Sequence, residues 1–133
     1  MSAVVADTHA ALWYLLSPDK LSSKAEAVLD EAQNVNDPIY VATISLVEVA
    51  YLVEKGRLAE AAYQRLNLEL SQPDSGFVFV SLDLPIVQTL RRIPRDIVPD
   101  MPDRIIAATA LYLNLPLITR DPDIRNANLT TIW

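Results

Sequence analysis

Asp7, Glu48, Asp103 and Asp121 are the residues of this chain whose type and position could do chemistry. Asp7 follows the β-rich run Ala3–Ala6 directly, and Asp121 comes shortly after Ile118, just before Pro122. Glu48 lies in the first turns of the helical pattern after Ile39–Ala42, and Asp103 in the first turn of one carrying Ile105, Ile106, Ala108, Thr109 and Leu113. Ligands of open α/β sheets bind beyond the carboxyl ends of the strands. Four acids in such places point to an oxygen-lined pocket for a hard cation. Without cysteine or paired histidine, Mg²⁺ or Mn²⁺ suits that donor set better than Zn²⁺. Such an ion binds phosphate oxygens and can activate water for attack at phosphorus.

A structural role is also open to each acid. Asp7 and Asp121 have the form of helix N-caps, Asp121 with proline at the favourable next position. Asp103 complements the positive end of its helix dipole. Glu48 closes a capping-box pattern with Ser45. Yet its helical neighbours Ile44, Ser45, Tyr51 and Leu52 include no base, so a carboxylate there loses hydration without gaining an ion pair. A bound cation is the economical compensation.

Composition narrows the alternatives. Two glycines exclude glycine-rich phosphate loops. The absence of cysteine excludes disulfides, thiol nucleophiles and Cys-ligated metals, and the single His9 excludes a two-histidine site. No apolar run approaches the roughly 18 residues of a membrane span, and the start lacks the basic flank of a secretory signal. A soluble cytoplasmic protein is expected, with no membrane partner. The net charge of −6 argues on its own against nucleic acid.

The elements that must hold these acids alternate along the chain. Strands are expected at Ala3–Ala6, Ile39–Ala42, Phe77–Val80, Pro116–Thr119 and Leu129–Trp133. Helices are expected over Thr8–Leu16, from a Ser22 cap onward, from Ser45 to about Glu54 with Gly56 as a left-handed terminator, over Leu58 to about Leu70, from Pro85 to about Arg91, and from Pro102 onward. With 133 residues, half of them hydrophobic, this order reads as one α/β domain over residues 1–133 with a mainly parallel sheet.

The chain also resembles the PIN-domain ribonucleases, in particular the VapC toxins of bacterial and archaeal toxin–antitoxin pairs. The likeness rests on Val5-Ala-Asp-Thr-His-Ala-Ala-Leu-Trp13, Ile44-Ser-Leu-Val-Glu-Val-Ala50 with Lys55-Gly-Arg-Leu58, Asp100-Met-Pro-Asp-Arg-Ile-Ile-Ala-Ala-Thr-Ala110 and Leu115-Pro-Leu-Ile-Thr-Arg-Asp121, and spans essentially the whole chain. It implies a PIN-like three-layer α/β/α sandwich. It further implies a Mg²⁺- or Mn²⁺-dependent endoribonuclease whose metal and catalytic residues are Asp7, Glu48, Asp103 and Asp121. Thr119 matches the hydroxyl before the last acid, and Asp123, Asp100 and His9 would stand in an outer position. A toxin that restrains growth or translation, an antitoxin partner and a homodimer are implied as well. Val47, where relatives often carry Trp, and Met101-Pro102 depart from the pattern as packing or helix-start variation.

Two further features bear on partners. Six arginines (91, 92, 95, 104, 120 and 125) fall in the last third; on the pocket rim they would make a local RNA track despite the net charge, the alternative being a solvated surface open to acidic segments of a partner. Arg104 and Arg120 are the candidate RNA contacts, with pairing to Asp100 the favoured role of Arg104. The run Trp13–Leu16 is apolar all round, so a partner chain or a thick core should cover part of it. The rival functions are a receiver-like phosphoacceptor, which needs a lysine near the last strand where none lies beyond Lys55, and a PIN fold kept only for partner binding.

Overall fold

The computed structural model describes residues 2–133. Three buried residues, Val4–Ala6, form strand β1 at the centre of the sheet. Around it run β2 (Ile39–Ala42), β3 (Phe77–Val80), β4 (Leu117–Ile118) and β5 (Thr131–Ile132), in the order β3-β2-β1-β4-β5 with every pairing parallel. The sheet is thus entirely parallel. Strands buried on both faces have to be apolar throughout, which is why β1, β2 and β4 read as short apolar runs, whereas Val78 and Phe79 of the edge strand β3 are exposed.

Strand alternation divides the core in two. Val4, Ala6, Ile39, Val41 and Ile118 face α1 (Thr8–Leu16), α2 (Ser23–Asn34), α3 (Thr43–Glu54) and α4 (Glu60–Ser71). Val5, Ala42 and Leu117 face the opposite layer of α5 (Leu84–Leu90), α6 (Met101–Leu113) and α7 (Pro122–Arg125). The result is a three-layer α/β/α sandwich. From β1 the chain winds to β2 and β3 on one side, then returns to β4 and β5 on the other. The strand order therefore reverses between β1 and β4, and a crevice opens at their carboxyl ends.

Local chemistry sets most helix boundaries. Asp7, Ser22, Asp83, Asp100 and Asp121 are N-caps whose side chains accept backbone N–H bonds from the first turn. Gly56 follows α3 with φ +75°, as a left-handed terminator requires.

Several expectations need correction. The Ser45–Glu48 capping box is absent: α3 begins at Thr43 directly off β2, with Ala42 as a cap lacking any side-chain bond. That turns Ser45 into the interior as the third helical residue, fully buried. The helix expected from Leu58 starts at Glu60, and the last two strands shrink to two residues each because only those pair. The Trp13–Leu16 run needs little outside cover. Trp13, Tyr14 and Leu15 pack on the core, because α1 contacts α3, α4 and β1, and only Leu16 stays exposed, at 44%.

Candidate metal centre

Asp7 leaves the carboxyl end of β1 and caps α1, its Oδ1 accepting the Ala10 N–H at 2.8 Å. Across the strand-order reversal, Thr119 follows β4 and is fully buried. Its hydroxyl holds the Asp7 carboxylate and accepts the Asp121 N–H at 3.1 Å. Asp121 in turn caps α7, its Oδ1 taking the N–H groups of Asp123 and Ile124 at 2.9 and 3.1 Å. One oxygen of Asp121 is thereby committed to backbone and the other is left over.

From the other side come α3 and α6. The Glu48 Oε1 accepts the Thr8 hydroxyl proton at 2.6 Å, and the Thr8 and Ser45 hydroxyls are hydrogen-bonded at 2.9 Å. This buried pair ties the first turn of α1 to α3 and fixes the Glu48 side chain. Asp100 caps α6 through Oδ2, which accepts the Asp103 N–H at 3.1 Å, so both aspartates stand at one helix start. Glu48, Asp100 and Asp103 each offer an oxygen within 4.8 Å of the others.

These groups line one cavity of about 440 Å³, with Thr8, His9, Trp13, Arg120 and Pro122 on its walls. Five carboxylates (Asp7, Glu48, Asp100, Asp103 and Asp121) face it. Among the described residues the one salt bridge is Arg65–Glu69 on α4, so none of the five has a cationic partner. Their proton affinities reflect this. Burial raises the Asp7 carboxyl above its usual range, against the bonds from Thr119 and Ala10. Burial also raises Glu48, opposed by the Thr8 bond and reinforced by Asp100. Asp103 is pushed up to about 8 by burial and then by repulsion from Asp100, Asp121, Glu48 and Asp7. A crowd of mutually repelling oxygens without nitrogen or sulfur competition is the donor set of a hard divalent cation.

The other residues singled out in the sequence fall as follows. His9 is an exposed wall residue of the cavity. Asp123 is exposed and contributes its N–H to Asp121, and its side chain is not among those lining the cavity. Arg104 neither pairs with Asp100 nor lines the cavity; its Nε donates to the Ile93 carbonyl at 2.9 Å. Of the six C-terminal arginines, Arg120 alone lines the cavity, its guanidinium 4.7 Å from the Trp13 ring centroid. Val47 is exposed, so no packing accounts for its departure from the family pattern, whereas Met101-Pro102 opens α6. Sequence reading missed the Thr8–Ser45 pair and the place of Trp13 in the cavity wall. The adjacency of Thr8 to Asp7 was the available signal for the former.

The PIN domain profile matches residues 4–128. Ribonuclease VapC22 of Mycobacterium tuberculosis is 30% identical over 136 residues, covering all of both chains. Among solved structures, VapBC2 from Rickettsia felis bound to a promoter DNA fragment superposes with a TM-score of 0.72 at 16% identity, covering 98% of this chain and 97% of that one. FitAcB from Neisseria gonorrhoeae and a toxin–antitoxin complex from Klebsiella pneumoniae each reach 0.65 at 20% identity, covering 98% and 96%.

Proposed function

The chain belongs to the PIN-domain family and, within it, to the VapC-type ribonucleases; from that membership we propose that it hydrolyses RNA phosphodiester bonds at the five-carboxylate cavity, as the toxin of a toxin–antitoxin pair. The observation that carries this reading is the cluster itself: Glu48, Asp100 and Asp103 within 4.8 Å, beside Asp7 and Asp121, with no salt bridge to any of the five among the described residues. Mg²⁺ or Mn²⁺ is the proposed occupant, held by these acids. When bound, it supplies Lewis-acid polarisation of a phosphate oxygen and neutralises developing charge.

The protein's own residues do the rest. Thr8 and Ser45 fix the Glu48 carboxylate, so its orientation is set before any ligand arrives. Thr119 keeps Asp7 and Asp121 in register across the β1/β4 reversal. The acids also reconcile a net charge of −6 with an RNA substrate, because an acidic cavity recruits phosphate through its cation. A receiver-like phosphoacceptor would need a lysine beside the last strand, and the cation in this cavity is Arg120.

Partner readings belong to the same proposal. An antitoxin partner is supported by the toxin–antitoxin complexes among the structural neighbours. A homodimer is supported by Leu84, Val87 and Met101, which lie exposed on α5 and the start of α6. No described helix is long and apolar enough to cross a membrane.

The test is cleavage of unstructured single-stranded RNA in Mg²⁺ or Mn²⁺. Chelation should abolish cleavage, and Asp103→Asn should slow it by about a hundredfold or more. Cleavage that survives both chelator and Asp103→Asn would sink the proposal.

A further inference from the structure

A row of flat side chains stands beside the carboxylates and, among the described residues, makes no hydrogen bond or salt bridge to them. His9 and Trp13 are four residues apart on α1 and share a face, their ring centroids 5.5 Å apart. The Trp133 ring lies tilted against Trp13, with the centroids 5.9 Å apart. Over the Trp13 ring lies the Arg120 guanidinium. His9, Trp13 and Arg120 all line the cavity that contains the acids, and His9 and Arg120 are exposed.

The position of Arg120 is unexpected for an arginine beside five carboxylates. Simple Coulomb attraction would draw it into an ion pair. Instead its guanidinium lies over the indole, 4.7 Å from the ring centroid, in a residue that is exposed at the cavity wall. Guanidinium planes and aromatic rings are the surfaces on which unpaired nucleobases stack. A base within a duplex has both faces occupied by its neighbours and cannot use such a surface without leaving the stack.

We propose that His9, Trp13 and Arg120 form a stacking subsite for an unpaired nucleobase flanking the cleaved phosphate. The subsite rests on the ribonuclease reading above. It assigns Arg120 a double contact, base on its outer face and backbone phosphate at its edge, and makes His9 the exposed lip of the platform.

Steady-state cleavage of one unstructured oligoribonucleotide, alone and annealed to its complement, tests it. His9→Ala should raise KM several-fold and Arg120→Gln about tenfold, the size of a lost base stack. His9→Phe should restore KM, since a flat ring suffices. The annealed form should be cleaved poorly by the wild-type protein. Wild-type KM in both His9→Ala and Arg120→Gln, or equal cleavage of the two RNA forms, overturns the subsite. Failure of the ribonuclease reading looks different: the wild-type protein then cleaves neither form. In that event Trp133→Phe leaves Trp13 as the sole indole, and the same oligoribonucleotide must quench its fluorescence if the platform exists; unchanged emission overturns it.

Discussion

Asp121 combines two roles that a single substitution can separate. Its Oδ1 caps α7, and its carboxylate faces the cavity. Asparagine caps a helix about as well as aspartate but carries no charge. Asp121→Asn should therefore keep the melting temperature and lose at least about tenfold in RNA cleavage. Asp121→Ala should lose the activity and also about 1 kcal/mol of stability, roughly 4 °C. Equal melting temperatures for the two variants would remove the capping role. Asp103 makes the pH prediction. Its carboxyl is pushed up to about 8 from an ordinary value of 3.8, so between those values the native state binds more protons than the unfolded state. Stability from this group is present at low pH and is lost as pH rises toward 8. Metal-free protein should melt at progressively lower temperature from pH 5 to 8, and Asp103→Asn should flatten that slope. Thermal scans in chelator at several pH values check this, and a wild-type slope of the opposite sign contradicts it.

Helices α1 and α3 meet through a chemistry that neither announces alone. Thr8 lies 37 residues from Ser45 and 40 from Glu48, yet its hydroxyl joins both. Thr8→Val keeps the shape and removes the donor. It should leave Glu48 less well oriented and Ser45 buried without its partner, at about 1–3 kcal/mol in stability. Metal affinity should fall about tenfold, as when an outer-sphere hydrogen bond is removed. Thr8→Ser should restore both, and calorimetric metal titration of the pair decides the point. Helix starts elsewhere were legible because a cap is a local signal: Asp7, Ser22 and Asp121 sit immediately before a helical period. Ser45 misled because the same local pattern, Ser-x-x-Glu, occurs inside α3, where β2 runs straight into the helix and no cap is needed.

Across the whole molecule, the candidate ligands come from segments that meet only in the folded chain: the ends of β1 and β4, the start of α6 and the body of α3. An ion held by them binds the native state alone. At a hundredfold excess over its Kd it should stabilise by about 2.7 kcal/mol, raising the melting temperature by several degrees. Glu48→Gln should remove most of that rise, and a rise of wild-type size in this variant would place the ion elsewhere. The alternation of strands and helices, their polarity and the presence of acids at strand ends were determined by the sequence, because periodicity, caps and β-branched runs act within a few residues. The family motifs carried the rest of the architecture. Tertiary structure alone decided that Asp100 stands with Glu48 and Asp103, that Thr8 fixes Glu48, and that Arg120 rests on Trp13 rather than on an acid. Each depends on the reversal of strand order between β1 and β4 and on helices from both layers converging there. No short-range pattern encodes such a meeting, because it is set by the way two separate cores close on the two faces of one sheet.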